Sequence, residues 1–118
     1  GTNSLEKSQE PDDLKLVYRV YYDPLVLNST GKLLTDTDVE PAKEAVESYI
    51  ANLPFNGELV LTQLTDAVQQ AVGVKNPVLL SAEARYGVIP FTTINDAYLT
   101  DSGQLSIDTL TINYIPAS

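Results

Sequence analysis

Residues 54–77, PFNGELVLTQLTDAVQQAVGVKNP, decide the fold of this chain. Pro54 closes whatever precedes it, and Asn56-Gly57 reads as a turn. Residues 57–61 form a short strand, and Thr62 caps a helix of roughly three turns. Within that helix Leu64, Ala67, Val68, Ala71 and Val72 recur at helical spacing and form its buried stripe. Gly73 supplies a left-handed C′ position, and Val74 fits the hydrophobic contact of a Schellman ending. The chain then passes into another strand. A strand, a helix and a strand in so short a span point to an α+β domain, and every signal in it is structural rather than chemical.

Upstream, residues 14–22 alternate, with Leu14, Leu16, Tyr18, Val20 and Tyr22 on one face and Lys15, Val17, Arg19 and Tyr21 on the other. Period two with β-branched and aromatic residues predicts a strand, and the aromatic content of both faces predicts that it is not a simple edge. Asp23-Pro24 breaks the ladder, since proline has no N–H to give. Leu25, Val26 and Leu27 read as a bulged extension before a turn at residues 28–31. Thr37-Asp38-Val39-Glu40 fits a capping box opening a helix over residues 38–52, whose inward positions are Ala42, Ala45, Val46, Tyr49, Ile50 and Leu53. Residues 1–13 are polar and aperiodic and read as a linker or frayed terminus, leaving 14–118 as a single domain.

Downstream, residues 78–86 alternate again, and 88–100 read as a longer irregular connection that is packed and partly extended. Residues 101–103 form a tight turn. The run 104–115 is strand-like but changes phase, with Leu105 and Ile107 facing one way before Leu110, Ile112 and Tyr114 take over. Either a β-bulge near Asp108-Thr109 or a turn between two strands accounts for this. The resulting order predicts a two-layer sandwich, two helices packed on one mixed or antiparallel sheet of about four to five strands.

With 118 residues and 43% hydrophobic composition the chain is sized for one ordinary core. Absence of an initiator Met at Gly1 reads as one domain of a longer polypeptide. Its formal net charge of −9 repels phosphate backbones, which excludes a basic nucleic-acid face and disfavours an anionic membrane surface. The chain contains no Cys, His, Trp or Met, so disulfides, thiol nucleophiles, zinc–thiolate sites and His-based triads are excluded together. No apolar run is long enough to span a bilayer.

The remaining candidates for chemistry have simpler explanations. Asp36, Asp38 and Glu40 alternate like the start of a calcium loop, yet the sixth position, where an EF-hand needs glycine, is Pro41. Helix capping accounts for the same acids. Glu44 and Glu47 share the outer face of the first helix, a position that is ordinarily solvated. Ser81, Ser102 and Ser106 have no histidine to activate them, and the glycines are scattered singly rather than gathered into a phosphate loop. No cofactor or metal is expected. Of the seven tyrosines, Tyr21, next to Arg19 on the second face of the first strand, suits a protein interface. The pair reads either as an interface anchor or as a second layer of core.

Tyr22-Asp23-Pro24-Leu25-Val26-Leu27, the turn Asn28 to Gly31, and Leu53-Pro54-Phe55-Asn56-Gly57 open a resemblance to a known family. It continues through Leu61, Leu64, Ala67, Val68, Gly73 and Val74, then Ala84-Arg85-Tyr86-Gly87 and Gly103 before Tyr114-Ile115. Together these resemble the carboxy-terminal domain of the baseplate J-like proteins of contractile phage tails and related injection particles. The motifs are those of strand, helix and turn over residues 14–115, and the central portion of such a wedge protein is absent. The resemblance implies a non-enzymatic structural domain of a virion tail baseplate, assembled in the host cytoplasm. Its partners would be other tail and baseplate proteins, and homo-oligomers in the assembled particle are compatible with it. The residues by themselves also fit a small secreted or surface module that binds a ligand such as carbohydrate, or, least well, a hydrolase working with carboxylates alone.

Overall fold

In a computed structural model, described for residues 11–54, 57–100 and 102–117, the chain runs β1 (Asp12–Tyr22), α1 (Pro41–Ala51), β2 (Glu58–Val60), α2 (Leu61–Gln69), β3 (Val74–Arg85), β4 (Thr92–Thr93), β5 (Ala97–Leu99) and β6 (Leu105–Pro116). The main sheet is mixed and four-stranded, in the order β4-β3-β1-β6, and β2 and β5 form a small sheet of their own. β3 runs antiparallel to β1 and β6 runs parallel to it. The architecture is therefore the two-layer α+β arrangement that the sequence predicts.

The alternation of β1 becomes a division of the molecule. Leu14, Leu16, Tyr18 and Val20 are fully buried, and they join Val46 of α1 and Leu64 and Val68 of α2 in one core. The odd-numbered residues of β1 form the second face and stay half-buried. A central strand must satisfy neighbours on both edges, which is why aromatic and β-branched residues occupy both faces.

The strand begins earlier than its hydrophobic pattern suggests. Asp12 and Asp13 belong to β1, not to a linker ending at residue 13, and residues 1–10 lie outside the described chain. Asp12 continues the inward register of Leu14 and is fully buried although its side chain is polar. Leu25 and Val26 do not extend the strand. Asp23 accepts from the N–H groups of Val26 and Leu27 through its carbonyl and from Leu25 through its carboxylate, so a turn follows at once.

Both helix starts differ from expectation. α1 begins at Pro41 rather than Asp38, and Thr37 is not its cap. Asp36 takes the preceding residues into a turn instead, its carboxylate accepting from the Asp38 N–H at 3.0 Å and its carbonyl from Val39. The Glu44 carboxylate reaches back to the Glu40 N–H at 3.3 Å, doing from the helix what the capping box assigned to Glu40. Likewise α2 starts at Leu61, not after Thr62, and the Leu61 N–H donates to the Asp96 carbonyl. Tertiary backbone thus replaces a side-chain cap.

α2 also ends sooner. Its last residue is Gln69, so Gly73 is not C′; it sits in a turn closed by the Val74 N–H and the Ala71 carbonyl, with φ of 81°. Val72, expected in the buried stripe, points away and is 61% exposed.

At the end of the chain the phase change is a bulge. β6 pairs continuously with β1 except between Ile107 and Thr109, where Asp108 is the extra residue. One inserted residue swaps the inward set from odd to even positions. Pro77 sits inside β3 opposite Val20, a position tolerated because β4 pairs with β3 only at Glu83 and Ala84 and leaves that stretch an edge.

Candidate functional site

The second face of the main sheet, opposite the helices, carries the candidate residues. On β1, Arg19 lies between Val78 of β3 and Asn113 of β6, and Tyr21 lies between Asn76 and Ile115. Both side chains are half-buried. Spacing of two on a strand brings them to one face, as the alternation requires.

The other end of this face is organised differently. Arg85 donates from Nε to Asp13 at 3.1 Å, and the cations of Arg85 and Lys15 lie 4.4 and 4.3 Å from the centre of the Phe91 ring. Phe91 comes from the connection after β3 and folds over that end of the sheet. An aromatic face attracts cations through its quadrupole, so the ring is held by charge as well as by apolar contact. No ion pair is formed by Arg19 among the described residues. Its charge remains available to a partner.

The sequence gives little hint of two polar clusters, one buried and one part-buried. At the start of β1, Asp12 accepts from the Tyr98 hydroxyl at 2.6 Å and from the Ser102 N–H at 3.0 Å. Its own N–H donates to the Gln104 carbonyl at 2.9 Å and to Ser102 Oγ at 3.1 Å. This cluster ties down the connection that carries the chain past β1 from the β3 side of the sheet to β6. Ser102 is thus a structural residue, while Ser81 and Ser106 are exposed strand positions. The only sequence signal for Asp12 is its place two residues before Leu14, and its charge conceals that register.

The second cluster centres on Tyr114. Its hydroxyl donates to Glu40 at 2.7 Å, and its ring meets Tyr22 edge-on with centroids 6.1 Å apart. Burial, then the hydrogen bond to Glu40 and that carboxylate's charge, pushes the Tyr114 hydroxyl far above the ordinary tyrosine range. Beside it a groove of about 590 Å³ runs between β6 and the start of α1, lined by Thr30, Glu40, Lys43, Leu110, Ile112 and Tyr114. Glu40 is therefore engaged by a tyrosine hydroxyl. Among the described residues no group of three acidic side chains is placed to hold a metal ion.

Tyr18 gives a pH prediction. Its hydroxyl is hydrogen-bonded to Thr65 at 2.9 Å inside the core, and burial pushes it from 10.0 up to about 12, the bond to Thr65 partly offsetting the rise. A raised folded value means that the unfolded chain releases the proton first. The stabilisation is complete below the unfolded value of 10.0 and is lost as pH rises towards about 12. Unfolding midpoints followed over this alkaline range should fall, and Tyr18→Phe should make the fall shallower, leaving the share of Tyr114. An equal slope in the variant would remove Tyr18 from the account.

Among the described residues no helix is long and apolar enough to cross a membrane. Comparison with protein-family models, with curated proteins and with solved structures finds no match to this chain.

Proposed function

We propose that this chain is a non-enzymatic assembly domain of a phage or prophage tail baseplate that works by docking onto neighbouring tail proteins. The observation that carries the docking part is the half of the sheet around Arg19 and Tyr21. Phe91 lies over the other half, while these two stay part-exposed on the central strand. A rigid central strand holds both anchors in place, so little side-chain freedom is lost on binding. Tyrosine and arginine are the residue types that most often dominate such contacts.

The baseplate part rests on the resemblance. Its positions Leu61, Leu64 and Val68 are buried in α2, and Gly73 holds the left-handed turn before Val74. These are residues that a shared fold would need. An acidic domain of this kind stays soluble before assembly and is steered towards basic partners.

The test is affinity capture with the tagged chain from lysate of an induced host, read by mass spectrometry. Enrichment of tail tube, wedge or fibre proteins over a control with a scrambled surface is the expected result. Arg19→Ala and Tyr21→Ala should each reduce that capture at least fivefold while changing unfolding free energy by less than about 1 kcal/mol, as part-exposed sites do. Retention on a glycan array with no tail protein captured would instead favour a carbohydrate-binding module. Unfolding by either substitution would return the pair to the core.

A further inference from the structure

β6 ends the main sheet, and among the described residues β1 is its only strand partner. Its outer edge therefore offers a row of backbone donors and acceptors without a sheet to receive them. Proteins usually guard such an edge with charge, proline or a bulge. Here the guards are the bulge at Asp108, three residues into the strand, and Pro116 at its end. Between them residues 109–115, TLTINYI, carry no charge and are rich in β-branched residues.

The helix side of the same edge is grooved. Leu110, Ile112 and Tyr114 are half-buried and form one wall of the groove of about 590 Å³, with Glu40 and Lys43 of the α1 entry opposite. A strand laid along β6 would place every second side chain against these three residues. Charge selects among possible strands. Glu40 and Lys43 line the groove itself, an adjoining depression that shares them adds Asp38, Glu44 and Glu47 against Lys32, and Asp108 adds a further acid on β6. A second copy of a chain with net charge −9 would bring like charge to like.

We propose that the free edge of β6 is a strand-addition site, which takes an extended segment of a partner protein with alternating apolar residues and basic flanks. It rests on the reading of the chain as a docking domain and names the kind of segment that docks. The apolar side chains enter the groove between β6 and α1, and the basic flanks meet the surrounding carboxylates.

The probe is a synthetic peptide, Lys-Val-Thr-Ile-Thr-Val-Lys with blocked ends, titrated into the full chain labelled with nitrogen-15. Saturable shifts should concentrate on β6 and on the groove side of α1. Replacing both lysines by glutamate should weaken binding about tenfold. Two N-methylated peptides, modified at alternate backbone positions, should behave oppositely, since only one set of N–H groups faces β6. Thr111→Lys with Asn113→Lys, both exposed positions, should reverse the preference and favour the glutamate peptide. The inference is overturned by absence of binding, by equal binding of the two N-methylated peptides, or by shifts confined to the Arg19 and Tyr21 face. Self-association that protects the β6 amides would overturn it in favour of a second copy. Tail proteins still captured at full strength by the double lysine variant would sink strand addition while leaving the docking reading intact. Failure of the wild-type chain to capture any tail protein would bear on the docking reading alone.

Discussion

Gly31→Ala should lower the unfolding free energy by about 3 kcal/mol, more than any surface substitution in the molecule. Gly31 holds a φ of 81°, a left-handed conformation that alone costs an alanine about 1 kcal/mol. The larger penalty is steric. A Cβ at this position would fall inside the ring of Tyr114, whose other contacts leave it little room to retreat. The Tyr114 hydroxyl is held by Glu40 and its ring edge by Tyr22. The loop is equally fixed, since the Asn28 side chain accepts from the N–H groups of Thr30 and Lys32 and the Asn28 carbonyl accepts from Gly31. Chemical denaturation of the single variants and of Gly31→Ala combined with Tyr114→Ala separates the two causes. Removing the ring should recover the steric part, so the double variant loses less than the sum of the singles. A loss within about 0.5 kcal/mol for Gly31→Ala would mean that the loop does not sit on the ring.

Leu64→Ala should cost about 3 kcal/mol and Val68→Ala about 2 kcal/mol, because each leaves a cavity that close-packed neighbours fill only in part. Both side chains are fully buried, with Leu16, Tyr18 and Val46 in the same core. Val72→Ala is the informative comparison. Helical spacing from Leu64 and Val68 predicts that Val72 is equally inward, but it is 61% exposed beyond the end of α2. Its substitution should change stability by less than about 0.5 kcal/mol. Denaturation midpoints with an unchanged slope would check all three. Matching losses at Val68 and Val72 would show that the helix continues through residue 72.

The pairing of Arg19 with Tyr21 on one face was legible from alternation alone, because a strand fixes which side chains share a side. Whether that face is covered was not legible, since the answer depends on Phe91, far along the chain. Asp12 was missed for a related reason. A carboxylate reads as solvent-facing unless its hydrogen-bond partners are known, and Tyr98 and Ser102 lie some ninety residues away. Thr37 and Thr62 show the opposite error. Each fits a local capping pattern, but Asp36 and the distant Asp96 carbonyl offered the backbone other hydrogen bonds.

The sequence by itself determined the inward faces of the main elements: the strand from Leu14 to Tyr22, the stripes of Leu64 with Val68 and of Val46 with Ile50, and the change of phase that became the bulge at Asp108. These follow from periods of 2 and 3.6, which are properties of neighbouring residues. Tertiary structure alone decided that β1 lies between an antiparallel β3 and a parallel β6, that β6 is left at the edge, and that a groove opens beside it. Period two specifies a side of the sheet but not which strand lies alongside, because backbone hydrogen bonds are the same for every sequence. Neighbours are chosen when buried surface from the whole chain is brought together, and the edge at β6 exists only after that choice.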